Sequence, residues 1–174
     1  MSEASALRKR SDLLKLRELQ ARVPRVFEIR EVKGDPPESI KLLIRIPTAK
    51  NTNYPEERQE VSEVTILLPD NYPVRACPTV LFSTPIWNPN VYDSGRWFYG
   101  DWRITENLSL FVTRLLKVIV MDPTIVNPES PANGRARDWY VQLRSRRPEL
   151  FPTAALPDSI VQGEVAKVTW RSIK

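Results

Sequence analysis

Trp87-Asn88-Pro89-Asn90-Val91-Tyr92-Asp93-Ser94-Gly95-Arg96-Trp97-Phe98 is the stretch on which the reading of this chain turns. It opens with an Asn-Pro-Asn turn, and Asn90, following proline, can hydrogen-bond the backbone of that turn. Gly95 comes five residues after Asn90 and Phe98 eight residues after it. The glycine supplies backbone freedom for the approach to position 98. Trp97, Phe98, Tyr99 and Trp102 then place four aromatics in six residues. From Pro85 to Trp102 no helix or strand period is visible. Aromatic density of this kind is foreign to a disordered linker, so an ordered, irregular segment is expected. The aromatics have two readings, a cap on the core or a binding patch, since such side chains offer large contact area at small entropic cost.

Upstream, Ser5 to Arg22 holds no Gly or Pro and carries Leu13, Leu16, Leu19 and Val23 at steps of three, three and four. That spacing predicts a helix with one apolar stripe, with Arg and Lys on the other side, ended by Pro24. Phe27, Ile29 and Val32 predict a first strand, and Ile40, Leu42, Ile44 and Ile46 a half-buried antiparallel second. A loop is expected from Pro47 to Arg58, then a strand from Val61 to Leu68. A turn into Tyr72-Pro73 leads to a fourth strand over Thr79 to Phe82. Downstream, Leu108, Phe111, Leu115 and Val118 predict a helix from about Asn107 to Val120, stopped by Asp122-Pro123. A last helix is expected from about Pro131 to Arg146. The order is that of an α+β domain: a helix, a four-stranded antiparallel meander, an irregular segment and two helices.

Composition narrows the chemistry. The chain has one cysteine, Cys77, and no histidine. Disulfides within the chain are excluded, and a reducing compartment, the cytoplasm, is expected. Without histidine, Ser-His-Asp and Cys-His nucleophile pairs and nearly every zinc arrangement fall away. No Asp-x-Asp cluster, phosphate loop or dinucleotide glycine pattern is present, so neither metal nor cofactor is expected. No apolar run is long enough to span a membrane, and no secretory signal is visible. The net charge of +5 comes partly from Arg8-Lys9-Arg10 with Lys15 and Arg17, and from Arg135, Arg137, Arg144, Arg146 and Arg147. These clusters read as solvated helix faces or as protein-docking sites. Nucleic acid is disfavoured, because no aromatic platform is interleaved with them.

The set Tyr72-Pro73, Phe82, Asn88-Pro89-Asn90, Gly95, Asp122-Pro123 and Asn127-Pro128, in this order and spacing, resembles the central signature of the ubiquitin-conjugating enzymes. The likeness covers roughly residues 5 to 146. It implies a conjugating-enzyme fold over residues 1–147, followed by a tail over 148–174. Within the tail, Val165 to Ile173 reads as a strand or a partner-binding strip. The resemblance also implies that ubiquitin is carried as a thioester on a cysteine at position 98, where this chain has Phe98. Asn90 matches the asparagine that acts on the thioester oxyanion in that family, and its structural role in the turn is the weightier reading here. Asn88 replaces the family's architectural histidine. Asn127 stands, uncharged, where family members have an acidic or polar residue that helps deprotonate the incoming lysine.

A benzyl side chain cannot hold a thioester. The expectation is therefore a catalytically inactive relative, binding ubiquitin or a ubiquitin-like protein and pairing with an active conjugating or activating enzyme. Trp97, Phe98, Tyr99 and Trp102 with Arg8, Lys9 and Arg10 are the candidate binding residues. Two alternatives stand beside this one. In the first, Cys77 is a non-standard nucleophile, although an inert packed cysteine is its default reading; Ser94 as an oxyester site lacks an activating group. In the second, the chain is a scaffold subunit assembled through its first helix and its tail.

Overall fold

A computed structural model describes residues 1–161. Helix α1 spans Glu3–Arg22, with Ser2 as its N-cap: the Ser2 hydroxyl accepts from Ser5 N at 3.2 Å. Strands β1 (Phe27–Lys33), β2 (Ser39–Ile44), β5 (Ser62–Leu67) and β6 (Thr79–Phe82) form one antiparallel sheet in the order β1-β2-β5-β6. Strands β3 (Thr48–Ala49) and β4 (Arg58–Gln59) pair separately. The expected loop over 47–58 therefore carries a short hairpin. It is seated by Thr48 Oγ1, which donates to Ile119 O at 2.5 Å.

The inner face of the sheet is built by alternation. Ile40, Leu42 and Ile44 on β2, Val64 and Ile66 on β5, and Val80 and Phe82 on β6 are all buried. In β1 the apolar residues fall at 27, 29 and 32, which breaks strict alternation by one residue. A bulge absorbs that residue: Ile29 pairs with Leu42 and Glu31 with Lys41, leaving Arg30 without a partner across the ladder.

Helix α2 (Leu108–Ile119) is the central element, capped by Asn107, whose side chain accepts from Leu110 N. Its apolar spacing suggested one buried face, but Val112, Leu116 and Ile119 are also fully buried, so it is covered nearly all round. The helix ends before Asp122-Pro123. Met121 takes a left-handed φ of 53°, Met121 N bonds Val118 O, and Asp122 N bonds Lys117 O. This is a Schellman closure made without glycine. Helix α3 (Gly134–Arg146) starts three residues later than Pro131, where Asn133 caps it by accepting from Ala136 N.

The boundary at 147 falls inside packed structure. Pro148–Leu150 form a 3-10 turn, and Phe151 is buried with its ring 4.9 Å from that of Tyr140. Thr153 N donates to Val120 O and Thr153 Oγ1 to Pro47 O. Ile160, in the short helix α4 (Asp158–Val161), is fully buried against the main core. Residues 148–161 thus belong to the packed domain, and the expected strip at Val165 to Ile173 lies outside the described residues. No helix among the described residues is long and apolar enough to cross a membrane.

Candidate functional site

The Asn-Pro-Asn turn is held from three sides. Asn88 is fully buried; its Nδ2 donates to Val118 O at 2.9 Å and its Oδ1 accepts from Asn90 N at 2.9 Å. It thereby ties the turn to the last turn of α2. Asn90 Nδ2 donates to Asn127 O at 3.0 Å, while Asn90 Oδ1 accepts from Asn127 N at 2.9 Å. Pro89 O accepts from Ala132 N and Asn133 N, just before α3. The Asn90 amide is therefore engaged at both ends by the backbone of the loop that follows α2. A carboxylate at this position would face Asn127 O with no proton to offer. Asn90→Asp is accordingly expected to destabilise the domain by about 2 kcal/mol, read as a shift in the urea midpoint. An unshifted midpoint would return the amide to the pool of groups free for chemistry.

From the turn the chain folds back as a narrow hairpin. Tyr92 N donates to Arg96 O and Phe98 N to Asn90 O, while Trp97 N pairs with Val80 O on β6. Gly95 makes the reversal with φ +83°, and its carbonyl accepts from Phe82 N at 2.8 Å. Residues alternate across this hairpin. Trp97 points into the core at 3% exposure, whereas Phe98 stands at the surface at 36%. The Phe98 ring packs edge-on against Tyr92 at 6.2 Å. Beyond it opens a groove of about 770 Å³, lined by Cys77, Ser94, Phe98, Tyr99, Asp101 and Trp102 among others.

Two bonds tie the walls of the groove together. Tyr99 OH donates to Pro78 O at 2.6 Å, and Trp102 Nε1 to Pro73 O at 3.1 Å. Burial, with the adjoining Cys77 sulfur, pushes the Tyr99 phenol well above its ordinary range, so it stays a hydrogen-bond donor. Tyr99 and Trp102 are half-buried and pack edge-on with Phe111, which Trp97 also meets at 5.1 Å between ring centroids. Of the four aromatics, Trp97 is core and Phe98 is the exposed one. Cys77 is exposed on the groove wall rather than packed at a strand entrance. Asn90 is not among the groove-lining residues; it borders a small cavity of about 20 Å³ beneath Phe98.

Two of the three basic candidates turn inward. Lys9 is fully buried, with Nζ donating to Leu68 O at 2.8 Å. Arg8 pairs with Asp12 (Nε to Oδ2 2.8 Å) and donates to Ile104 O and Glu106 O. Both clamp α1 to neighbouring loops, so Lys9 is not available as a surface contact and Arg8 is largely committed. Arg10 alone is exposed, 2.8 Å from Asp35 Oδ1.

Sequence reasoning missed this clamp, although Ser5, Lys9, Asp12 and Leu16 recur at helical spacing in line with the apolar stripe. It also missed Arg114, whose guanidinium lies over the rings of Trp97, Tyr99 and Phe111 at 5.6–5.8 Å. Arg114 Nη1 donates to Tyr99 O and Nη2 to Glu106 Oε2; Nε lies 2.9 Å from Oε1 but off line for a hydrogen bond. Arg114 thus supports the groove floor from below.

Burial dominates at this pair. It raises the Glu106 carboxyl above its ordinary range, against the pull of Arg114, and lowers Arg114. A carboxyl raised on folding favours the fold fully below its unfolded pKa and loses that contribution as pH rises through the folded value. Glu106→Gln is therefore expected to flatten the fall in stability from about pH 4.3 upward. Parallel wild-type and variant Tm profiles over that range would refute the assignment.

A helix leading into a four-stranded meander, a hairpin folded back from a buried Asn-Pro-Asn turn, and a groove above it define an α+β domain of the conjugating-enzyme class. The sequence profile of the ubiquitin-conjugating enzyme family matches residues 11–151, and the chain belongs to that family. Among curated proteins taken individually, none matches the chain significantly.

Proposed function

We propose that this chain is a catalytically inactive member of its family, a binding or accessory subunit of a ubiquitin or ubiquitin-like modification system. The observation that carries the reading is Phe98. The nucleophile's position holds a hydrocarbon ring facing an open groove, and a thioester needs sulfur there. The neighbouring Asn90 amide, bonded at both ends to Asn127, is spent on architecture. Phe98, Tyr99 and Trp102 offer a partner an aromatic ledge, and Arg10 an exposed cation. The partner is ubiquitin, a ubiquitin-like protein, or an active conjugating or activating enzyme, and the setting is cytoplasmic.

One observation favours a second reading. Cys77 is exposed in the same groove as Phe98, so a thiol is present although displaced along the wall. Incubation with an activating enzyme, ATP and ubiquitin separates the two. The inactive reading expects no adduct that reductant removes, together with tryptophan-fluorescence changes when ubiquitin or a conjugating enzyme is added. A reductant-sensitive adduct abolished by Cys77→Ser would replace it with the displaced-nucleophile reading.

A further inference from the structure

Along one edge of α3, Arg135, Trp139 and Arg146 follow at steps of four and seven, so they share a line. Both arginines are exposed and the indole is half-buried. Trp87, just before the Asn-Pro-Asn turn, is half-buried beneath the Arg135 guanidinium, which sits 5.7 Å from the ring centre. Trp87 N donates to Ala49 O, and Tyr54 meets Trp139 edge-on at 6.3 Å, so the β3–β4 hairpin borders the same line. Burial raises the Tyr54 phenol, and the charges of Arg58 and Arg147 pull it the other way, which places both exposed cations beside it. The strip thus interleaves arginines with two indoles. Its carboxylates are surface partners: Asp93 lies 3.4 Å from Arg135, Glu60 3.6 Å from Arg58 and Glu149 3.0 Å from Arg147. Exposed pairs of this kind hold weakly and give way to other anions. Arg146 has no carboxylate within ion-pair distance among the described residues.

We propose that this strip binds single-stranded nucleic acid, with phosphates on Arg58, Arg135, Arg146 and Arg147 and bases against Trp139 and the Arg135–Trp87 stack. Arginine suits both tasks: the guanidinium donates paired N–H groups to a phosphate, and its flat face stacks on rings. Trp139 alone is no platform in the sequence; folding adds Trp87 and the hairpin cation to it. A duplex fits worse, because its base faces are already stacked on one another. An acidic protein segment fits worse, because it offers the indoles no repeating flat group. The strip shares no residue with the groove at Phe98, so this proposal stands or falls independently of the function proposed above.

The test uses the full chain and labelled oligo-dT and oligo-rU of about 12 nucleotides. By fluorescence anisotropy at least one is expected to bind, with affinity falling about tenfold or more between about 50 and 200 mM salt. An abasic strand of the same length, and poly-glutamate, should bind about tenfold or more weakly, since neither brings bases to the indoles. Arg135→Ser with Arg146→Ser should weaken binding about tenfold or more, whereas Lys15→Ser with Arg17→Ser on α1 should leave it within about twofold. Trp139→Leu should weaken it about fivefold or more; if that variant unfolds, the abasic strand decides the stacking. Absence of binding, equal binding of the abasic strand or poly-glutamate, or equal losses in the two double variants overturns the proposal. So does indifference to Trp139→Leu in a folded variant, or tighter binding of a duplex than of either single strand.

Discussion

Asp12→Ala is expected to lower the unfolding free energy by about 3 kcal/mol, at the low end for breaking a buried ion pair. The Asp12 side chain is almost fully buried; its Oδ2 takes Arg8 Nε at 2.8 Å and also accepts from the Tyr72 hydroxyl. Burial and this carboxylate push the Tyr72 phenol far above its ordinary range, so it stays protonated and needs an acceptor. Alanine leaves that hydroxyl buried and unpaired, at the corner where Ser5 Oγ also donates to Tyr72 O. The loss is limited because Arg8 retains Ile104 O, Glu106 O and some contact with water.

Two controls sharpen the prediction. Lys9→Met keeps the volume and removes a charge whose Nζ reaches only a carbonyl among the described residues, so it should change stability by less than about 1.5 kcal/mol. Tyr72→Phe combined with Asp12→Ala should cost clearly less than the sum of the two single changes. Urea unfolding followed by tryptophan fluorescence reads all three. Additive costs in the double variant would mean that the carboxylate and the phenol do not act as a unit.

Gly95→Ala should cost at least as much, about 3 kcal/mol or more. A Cβ at this position would sit 2.5 Å from Phe82 O, and φ is +83°. Left-handed backbone alone costs a non-glycine residue about 1–3 kcal/mol. The clash adds to that, because its partner is the backbone of β6 and not the end of a flexible side chain. Relief requires the hairpin to lift from β6, which would break the Phe82 N to Gly95 O bond and move Phe98. Tryptophan emission should therefore redshift in the native state as well as at a lower midpoint, since Trp97 is carried by the same hairpin. A variant with wild-type midpoint and emission would show that the hairpin is not pinned at this glycine.

Alternation and helical spacing were enough to place the four strands of the main sheet and the three long helices, because burial on one face imposes period 2 or 3.6 on the residues themselves; the β3–β4 hairpin and the helical turns after residue 147 are too short to show a period. The spacing 27, 29, 32 predicts a first strand and no more; the bulge at Arg30 is seen only in the ladder with β2. The signature around Asn90 resembles that of the family in residue type and spacing, and its Asn-Pro-Asn turn and Gly95 answer local backbone demands that only a few residue types meet. The absence of a thiol at position 98 is likewise a property of the chain, whatever its fold.

Other features depend on contacts far apart in sequence. Lys9 and Asp12 look solvent-facing in a charged helix, and they are buried because Leu68 O and the Tyr72 hydroxyl, some sixty residues away, supply their partners. The Asn90 amide could serve a reaction or a scaffold until Asn127 closes on both of its ends. Cys77 and Phe98 share a groove only because the hairpin folds back along β6. Residues 148–161 read as a proline-broken tail, yet Phe151 and Ile160 find apolar seats that earlier elements have already built. Local sequence specifies a residue's backbone preferences and polarity. Which atom meets a buried polar group is decided only when distant segments pack, since that pairing has no period to read.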